Sequence, residues 1–373
     1  MKNGIFSCIQ LVVALMSFAG SLSAQEYFDK DKYQRCSVIS MMIEHPMYMF
    51  NDEIAKAFRE LPVQDRFNDH NLGVSVVRFA SQEYTDQTEL IYSFIDHVHL
   101  GNRAVAKWFC YDKQTGSFSM DLIKERGFYN ANLFDRELAE ATLRKNSILR
   151  DAGEKLISNT YLIMNDICFD GKYSARENEQ HSGIFEKKRF KVKIVSYIFQ
   201  LEWNDDDLYT FYSDYYSGVD DFVNMKQQYR FVFRAKVESD YQETTSFTSQ
   251  AILIKKTIAR CLDINFAKLQ KAYPDFQIKA VLRTTDPLTA DIGVKEGVVD
   301  SDLYEVLEKQ EDERGVVTFK RVGTVKPVNG KIWDNRYMAA EEQLKNADIG
   351  FTTFKKVSGG DFHAGMFLRE VNK

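Results

Sequence analysis

Several kinds of residue are scarce in this chain. Of its 373 residues only five are cysteine and five proline, beside 19 glycines. That scarcity argues against long disordered or collagen-like stretches. Basic residues do not predominate: 49 Lys and Arg face 54 Asp and Glu, for a net charge of −5. No basic stripe is present, so nucleic acid is not an expected partner. Beyond the first two dozen residues no run of about 18 apolar residues occurs, and no spanning helix is expected in the mature chain. Four cysteines follow that point: Cys36, Cys110, Cys168 and Cys261. Their wide spacing is not a metal-binding pattern. An even number permits disulfides in an oxidising compartment, but each lies in apolar sequence, where buried thiols on strands are expected. The sequence does not fix which of these holds.

What is present begins with a leader. Lys2 is followed by an apolar run over 9–18 and by small residues over 20–24. This order predicts a signal peptide over 1–24, cleaved before Gln25. The run is too short to span a bilayer, which takes about 20 residues. Cys8 precedes the run, so lipid anchoring is not expected. The expected location is outside the cytoplasm of a Gram-negative bacterium: periplasm, outer-membrane-associated or extracellular, with membrane-surface association left open.

The rest divides by texture. Residues 25–250 alternate strand and helix signals and predict an α/β domain with a mixed sheet. The apolar run 36–43 is broken by His45 and Pro46, and Asn51 is expected to cap a helix bearing Ile54, Ala55, Phe58 and Leu61. Residues 72–79 read as a strand. A helix opening at Asp86 carries Leu90, Ile91, Phe94, Ile95 and Val98 at helical spacing. Residues 103–111 read as a strand, with a turn at Thr115 and Gly116. Ser119 is expected to cap a short helix ended by Gly127, further helices to cross 134–157, and residues 160–169 to form an apolar strand. Residues 172–188 read as an exposed loop. Two long strands follow. In 190–203, Val195, Tyr197, Phe199, Leu201 and Trp203 share a side. In 228–237, Tyr229, Phe231, Phe233, Ala235 and Val237 share one. A helical connector is expected over 251–274, with an apolar stripe from Ile252 to Leu269. Residues 275–373 carry five short strand signals between turn residues, the pattern of a small all-β barrel.

That last segment contains Asp291-Ile292-Gly293, then Gly297-Val298, then Asp302-Leu303-Tyr304-Glu305-Val306. It resembles the small SH3-like barrel that closes the flagellar assembly protein T family. Glycines there allow tight turns, and the aspartate can bond its own turn backbone. The N-terminal part is more distantly similar to TolB-like and curli-pore-like α/β domains, on the segment Leu122-Ile123-Lys124-Glu125-Arg126 and the strand ending Asn165-Asp166-Ile167. The resemblance implies an envelope or surface assembly component and carries over no catalytic residue.

Candidate chemistry is sparse. His97 and His99 form an H-x-H pair, but on a helix two residues turn through about 200°, so the rings point apart. Asp65, Asp69 and His70 fit an acid–base cluster or a capped turn. Asp205, Asp206 and Asp207 fit a calcium site or a solvated hairpin tip. Ser358-Gly359-Gly360-Asp361 lacks the lysine and helix start of a phosphate loop and reads as a turn. Cys110 or Cys168 would need a histidine nearby to act as a nucleophile. Met41, Met42, Met47 and Met49 fit a core better than a partner surface. No residue is therefore assigned to catalysis, cofactor binding or metal binding, and no cofactor is expected. The expected function is that of an exported, non-enzymatic accessory or assembly component that meets a protein partner or copies of itself. Two alternatives stand beside it. One is a hydrolase using carboxylates and histidine at the strand ends near Asp112, Asp166 and Asp170. The other is a binding module for a sugar or lipid in an aromatic pocket.

Overall fold

The computed structural model describes residues 36–64, 67–79, 87–130, 150–151, 153–169, 188–226, 228–245, 249–273, 276, 280–311, 317–341 and 350–371. The leader, Asp65, Asp86, Asp170, residues 134–149 and 152, and residues 172–187 lie outside them. The chain has a mixed α+β body and a C-terminal barrel.

The body's sheet comprises β1 (Ser37–Glu44), β2 (Asn68–Asp69), β3 (Val76–Arg78), β4 (Thr160–Phe169), β5 (Lys188–Leu201) and β6 (Phe231–Thr245). Its order is β2-β1-β4-β5-β6, with β3 also on β1. β2, β3 and β4 run parallel to β1, whereas β5 and β6 complete the sheet antiparallel. Six helices accompany it among the described residues: α1 (Asn51–Arg59), α2 (Thr88–His97), α3 (Leu100–Trp108), α4 (Asp121–Asn130), α5 (Asp205–Thr210) and α6 (Gln250–Ala272).

The period-2 alternation of β1 sorts its side chains onto two cores. Ile39, Met41 and Ile43 pack with Ile91 and Ile95 of α2 and Ala104, Val105 and Trp108 of α3. Met42, on the opposite face, packs with Ile54 and Phe58 of α1 and Leu253 and Ile258 of α6. The chain thus leaves β1 over one face and returns past it over the other, as crossovers of a single hand require.

Several local expectations differ from what forms. Residues 103–111 are not a strand: α3 occupies 100–108. The segment is a largely apolar run, but Leu100, Ala104, Val105 and Trp108 also repeat at helical spacing, and packing on the sheet selects the helix. Only Val76–Arg78 of the 72–79 run pairs as a strand. Before it, Asn71 N–H donates to Asp69 Oδ1 and Gly73 N–H to Asn71 Oδ1, which commits the backbone to turns. Asn51 is the first helical residue rather than the cap; Phe50, in the left-handed region, precedes it, and Asn51 Oδ1 instead accepts from His45 N–H at 2.9 Å. α4 continues through Gly127. Ser249 caps α6, its side chain accepting from Ile252 N–H, and Ile252 itself is exposed.

On β5 the shared side of Val195, Tyr197, Phe199, Leu201 and Trp203 faces the α2–α3 core. The β6 row divides. Tyr229, Phe231 and Phe233 join that core, whereas Ala235 and Val237 pack on the other face. A bulge explains the change: Ile198 opposes Ala235 but Phe199 opposes Phe233, leaving Arg234 as the extra residue.

The barrel closes as β10-β11-β8-β7-β12-β9, built from β7 (Ala280–Thr285), β8 (Leu288–Ala290), β9 (Tyr304–Glu311), β10 (Val317–Pro327), β11 (Thr352–Gly359) and β12 (Phe367–Glu370). All its pairings are antiparallel, a form compatible with an SH3-like barrel. β8, only three residues long, carries too little alternation to be read from sequence. Inside lie Leu282, Ala290, Ile292, Val306, Val325, Phe354 and Leu368.

The phrase that carries the resemblance spans the connection from β8 to β9. Gly297 has φ +78°, and Asp302 Oδ2 accepts from Val299 N–H at 2.9 Å. Gly293 is extended, but a Cβ there would stand 2.1 Å from the Trp333 carbonyl oxygen. Gly293→Ala is therefore expected to destabilise the barrel by about 2–3 kcal/mol, read as a lower urea midpoint and earlier proteolysis after residue 280.

The barrel sits on α6. Lys271 pairs with Glu370 at 2.9 Å, and buried Arg260 donates both to Glu243 of β6 at 2.9 Å and to the Tyr337 carbonyl at 3.1 Å.

Candidate functional site

The parallel part of the sheet decides where a site can form. Taken in chain order, the second parallel unit (β2 and β3) and the third (β4) lie on opposite sides of the first (β1). In open α/β sheets such a reversal opens a crevice beyond the carboxyl ends of the two adjacent strands, where ligands bind. Here that crevice lies between the ends of β1 and β4. Ile43 opposes Asp166, and two further residues along the same register bring His45 beside Cys168. All three polar residues share the sheet face that carries Ile39, Met41 and Ile43.

Their side chains converge. His45 Nε2 lies 2.6 Å from Asp166 Oδ1, and the Cys168 thiol donates to the same oxygen at 3.4 Å. One donor atom from each residue falls within 4.8 Å of the others. His45 is nearly enclosed, its ring stacked on Tyr48 at 4.8 Å and its backbone held by Asn51. Its Nδ1 is buried without a hydrogen-bond partner among the described residues. Asp166 is the hub of the cluster, bridging histidine and thiol. The thiol does not meet the imidazole directly, so the order of a nucleophile–base–orienter relay is absent from this geometry. A nitrogen, an oxygen and a sulfur donor around one point is instead the donor set of a borderline-soft metal.

A second concavity lies where the body meets the barrel. Between β2 and β3 the edge of β1 is uncovered at Ser40, and a cleft of about 550 Å³ opens there. Its walls include Gln64, Asp263, Phe266, Asn335 and Tyr337. Gln64 Nε2 donates to Asp263 Oδ1 at 2.6 Å.

The residues weighed from sequence are scattered. His97 ends α2 and His99 precedes α3 in the left-handed region. Asp205, Asp206 and Asp207 do not tip a β-hairpin: they form the first turn of α5, and Asn204 and Asp207 make a reciprocal cap. Three carboxylates are favourable at a helix start. Gly359 turns with φ +108° and packs on Gly323. Met41 and Met42 are core residues, whereas Met47 and Met49 are exposed (88% and 60%).

His70 is structural. Its Nε2–H donates to the Ala104 carbonyl at 3.0 Å, and Nδ1 accepts from Arg126 at 2.9 Å. Burial, then the Arg126 charge, holds the imidazole well below its ordinary range, so it is neutral. Arg126 also donates to Ser37 Oγ at 2.9 Å and lies 4.4 Å above the Trp108 ring. Burial brings its guanidinium down to about 10, still charged at neutral pH.

The four described cysteines lie in distinct settings. Cys110 is not on a strand; it is exposed just after α3, with φ +45°. Cys36 and Cys261 are buried, and burial pushes the Cys261 thiol up to about 12. A thiol reagent at neutral pH is expected to label Cys110 in the folded protein and to reach Cys36 and Cys261 only after denaturation, as peptide mapping would show.

In the sequence Asp166 and Cys168 stand as separate candidates, and His45 reads only as a strand breaker. The spacing of Asp166 and Cys168 already placed both on one strand face. Missing was the knowledge that β1 and β4, more than 100 residues apart, are neighbours in parallel register. No protein-family model matches the chain, and no curated protein is significantly similar to it.

Proposed function

We propose that this is an exported envelope or surface protein of a Gram-negative bacterium. In this reading it is an accessory or assembly component that works by contact with another protein or with its own copies. The reading is supported by one feature of the barrel's outer wall. Val281 and Phe367 are directly opposed across β7 and β12, Phe367 opposes Leu307 of β9, and Phe319 of β10 meets Phe367 edge-on at 5.4 Å. Val281 is exposed and both phenylalanines are partly so. Outward aromatic side chains on β10 and β12, the two strands that flank β9, form a patch of the kind that marks protein contact sites. The likeness of the barrel's turn sequence to the flagellar assembly protein T family points the same way.

The test combines size-exclusion chromatography and light scattering with pull-down from envelope extracts, comparing the wild type with a Phe319→Ser, Phe367→Ser variant. Self-association, or a partner retained by the wild type and lost by the variant, is the expected result. A strict monomer that retains nothing the variant does not would overturn the proposal.

A second reading rests on the cleft beside Ser40. Its volume lies within the ~300–1,000 Å³ typical of small-molecule sites, and it sits at a junction of two units, where such sites concentrate. A small polar ligand with one apolar face fits its walls. Thermal stabilisation across a sugar and lipid library, absent when Asp263 is replaced by leucine, is the expected signature.

A further inference from the structure

We propose that His45, Asp166 and Cys168 bind a single zinc ion at the carboxyl ends of β1 and β4. The donors are His45 Nε2, one carboxylate oxygen of Asp166 and Cys168 Sγ. This goes beyond the docking reading and does not depend on it.

The geometry is close to what zinc requires. Bond lengths of roughly 2.0 Å to nitrogen, 2.1 Å to oxygen and 2.3 Å to sulfur put the ligands of a tetrahedral ion roughly 3.3–3.6 Å apart. Sulfur and carboxylate are already 3.4 Å apart. Nitrogen and carboxylate, at 2.6 Å, would need to separate by less than about 1 Å to admit the ion. Three protein ligands leave a fourth position. Asp166 and Cys168 are partly exposed, so water can reach it. An open fourth position is the mark of zinc sites that act on a ligand rather than merely brace a fold.

The surroundings hold the ligands in place. Two of them come from successive same-face positions of one strand, and the third from the residue after its parallel neighbour. The imidazole is fixed by the Tyr48 ring and the Asn51 bond to its backbone. Zinc at Nε2 would leave the remaining proton on Nδ1 and put a coordinate bond in place of the hydrogen bond to the Asp166 carboxylate. The nitrogen, oxygen and sulfur set suits zinc better than calcium or magnesium, which take oxygen ligands. Zinc binding requires loss of the thiol proton to solvent; no electron transfer is involved.

The experiment uses the full mature chain, stripped with chelator and dialysed against zinc, then against cobalt as an optical stand-in. One zinc per chain is expected by elemental analysis. The cobalt form should show a thiolate-to-metal charge-transfer band in the near ultraviolet and tetrahedral visible bands. Cys168→Ser, an isosteric change, should abolish the charge-transfer band. His45→Gln should weaken zinc retention by more than the roughly 10- to 100-fold seen when only an outer partner of a ligand is removed. Unchanged circular dichroism certifies the fold of each variant, and the wild-type cobalt spectrum is read without any variant at all. Absence of the charge-transfer band in the wild type, or zinc retained equally by folded Cys168→Ser and His45→Gln, would overturn the proposal. Because the readout is the metal itself, it is independent of any partner found through the barrel.

Discussion

Replacing Asn102 with alanine is expected to cost the body about 3 kcal/mol, a larger loss than an ordinary surface or helix substitution gives. Asn102 is completely buried on α3. Its amide nitrogen is within reach of the carbonyls of Phe222, Met225 and Lys226, at 3.3–3.4 Å. Its amide oxygen accepts from the backbone N–H of Gln228 at 3.0 Å and of Tyr229 at 3.4 Å. One side chain therefore replaces water for a whole irregular segment leading into β6. Alanine leaves at least two of those backbone groups buried and unpaired, at about 1–3 kcal/mol each, less what water can recover. For a body of this size that corresponds to a melting point lower by roughly 6–12 °C. Trp108 and Trp203 both lie in the affected core, so urea denaturation followed by fluorescence reads the change. Asn102→Asp separates the two halves of the interaction: it keeps the acceptor and loses the donor. An alanine variant within about 0.5 kcal/mol of wild type would show that water already serves the segment.

The neighbouring glycine makes the same point from steric grounds. A Cβ on Gly101 would stand 1.9 Å from the Tyr229 carbonyl oxygen. A glycine inside a helix ordinarily costs about 1 kcal/mol relative to alanine. Here that cost secures the close approach that lets Asn102 reach its partners. In sequence, Gly101-Asn102 falls between the helical spacing that ends at Val98 and the 103–111 segment that reads as a strand. Glycine and asparagine are turn formers when the backbone is free to choose. They become helix residues here because the irregular backbone leading into β6 lies against them.

The parts of the fold that were legible share a physical property: their information is local. Strands β1 and β4 are largely apolar on both faces because both faces are covered, and that is visible without knowing by what. The barrel's turns announce themselves through Gly297, Asp302 and Gly330, whose conformations are fixed within a few residues. What was not legible depends on contacts across long separations. The bulge at Arg234 follows from how β5 and β6 must twist together, and it moves Ala235 and Val237 to the face opposite the one their alternation suggests. The His45–Asp166–Cys168 cluster depends on a parallel pairing that no local pattern encodes. His70 looked like a member of an acid–base cluster because aspartates flank it in sequence, but Asp69 Oδ1 turns back to the Asn71 backbone and leaves the ring to Arg126.

That histidine leads to the second large effect. Arg126→Met is expected to lower stability by about 2–4 kcal/mol, because it keeps an unbranched apolar chain but removes the guanidinium over Trp108 and strands its partners. Those partners are Ser37 Oγ, His70 Nδ1 and the Asp69 carbonyl, which lie on two strands of the sheet and the chain just past β2. The pH dependence follows from the buried ring. His70 binds a proton less readily in the folded protein than in the unfolded chain, where its pKa is about 6.5. Its contribution is therefore complete above that value and is lost as pH falls, since the unfolded state then takes up a proton that the folded state refuses. The slope from this one group approaches about 1.4 kcal/mol per pH unit until the folded ring also titrates. In Arg126→Met one of the two main causes of the shift is gone and burial, the larger, remains. The acid limb should persist but end at a higher pH. In His70→Asn the limb due to this ring should vanish. Urea midpoints measured from pH 7.5 down to 4.5 for the three proteins decide the matter: a slope in His70→Asn as steep as in the wild type would assign the acid sensitivity to other groups and leave the Arg126–His70–Trp108 stack without the energetic role its geometry gives it.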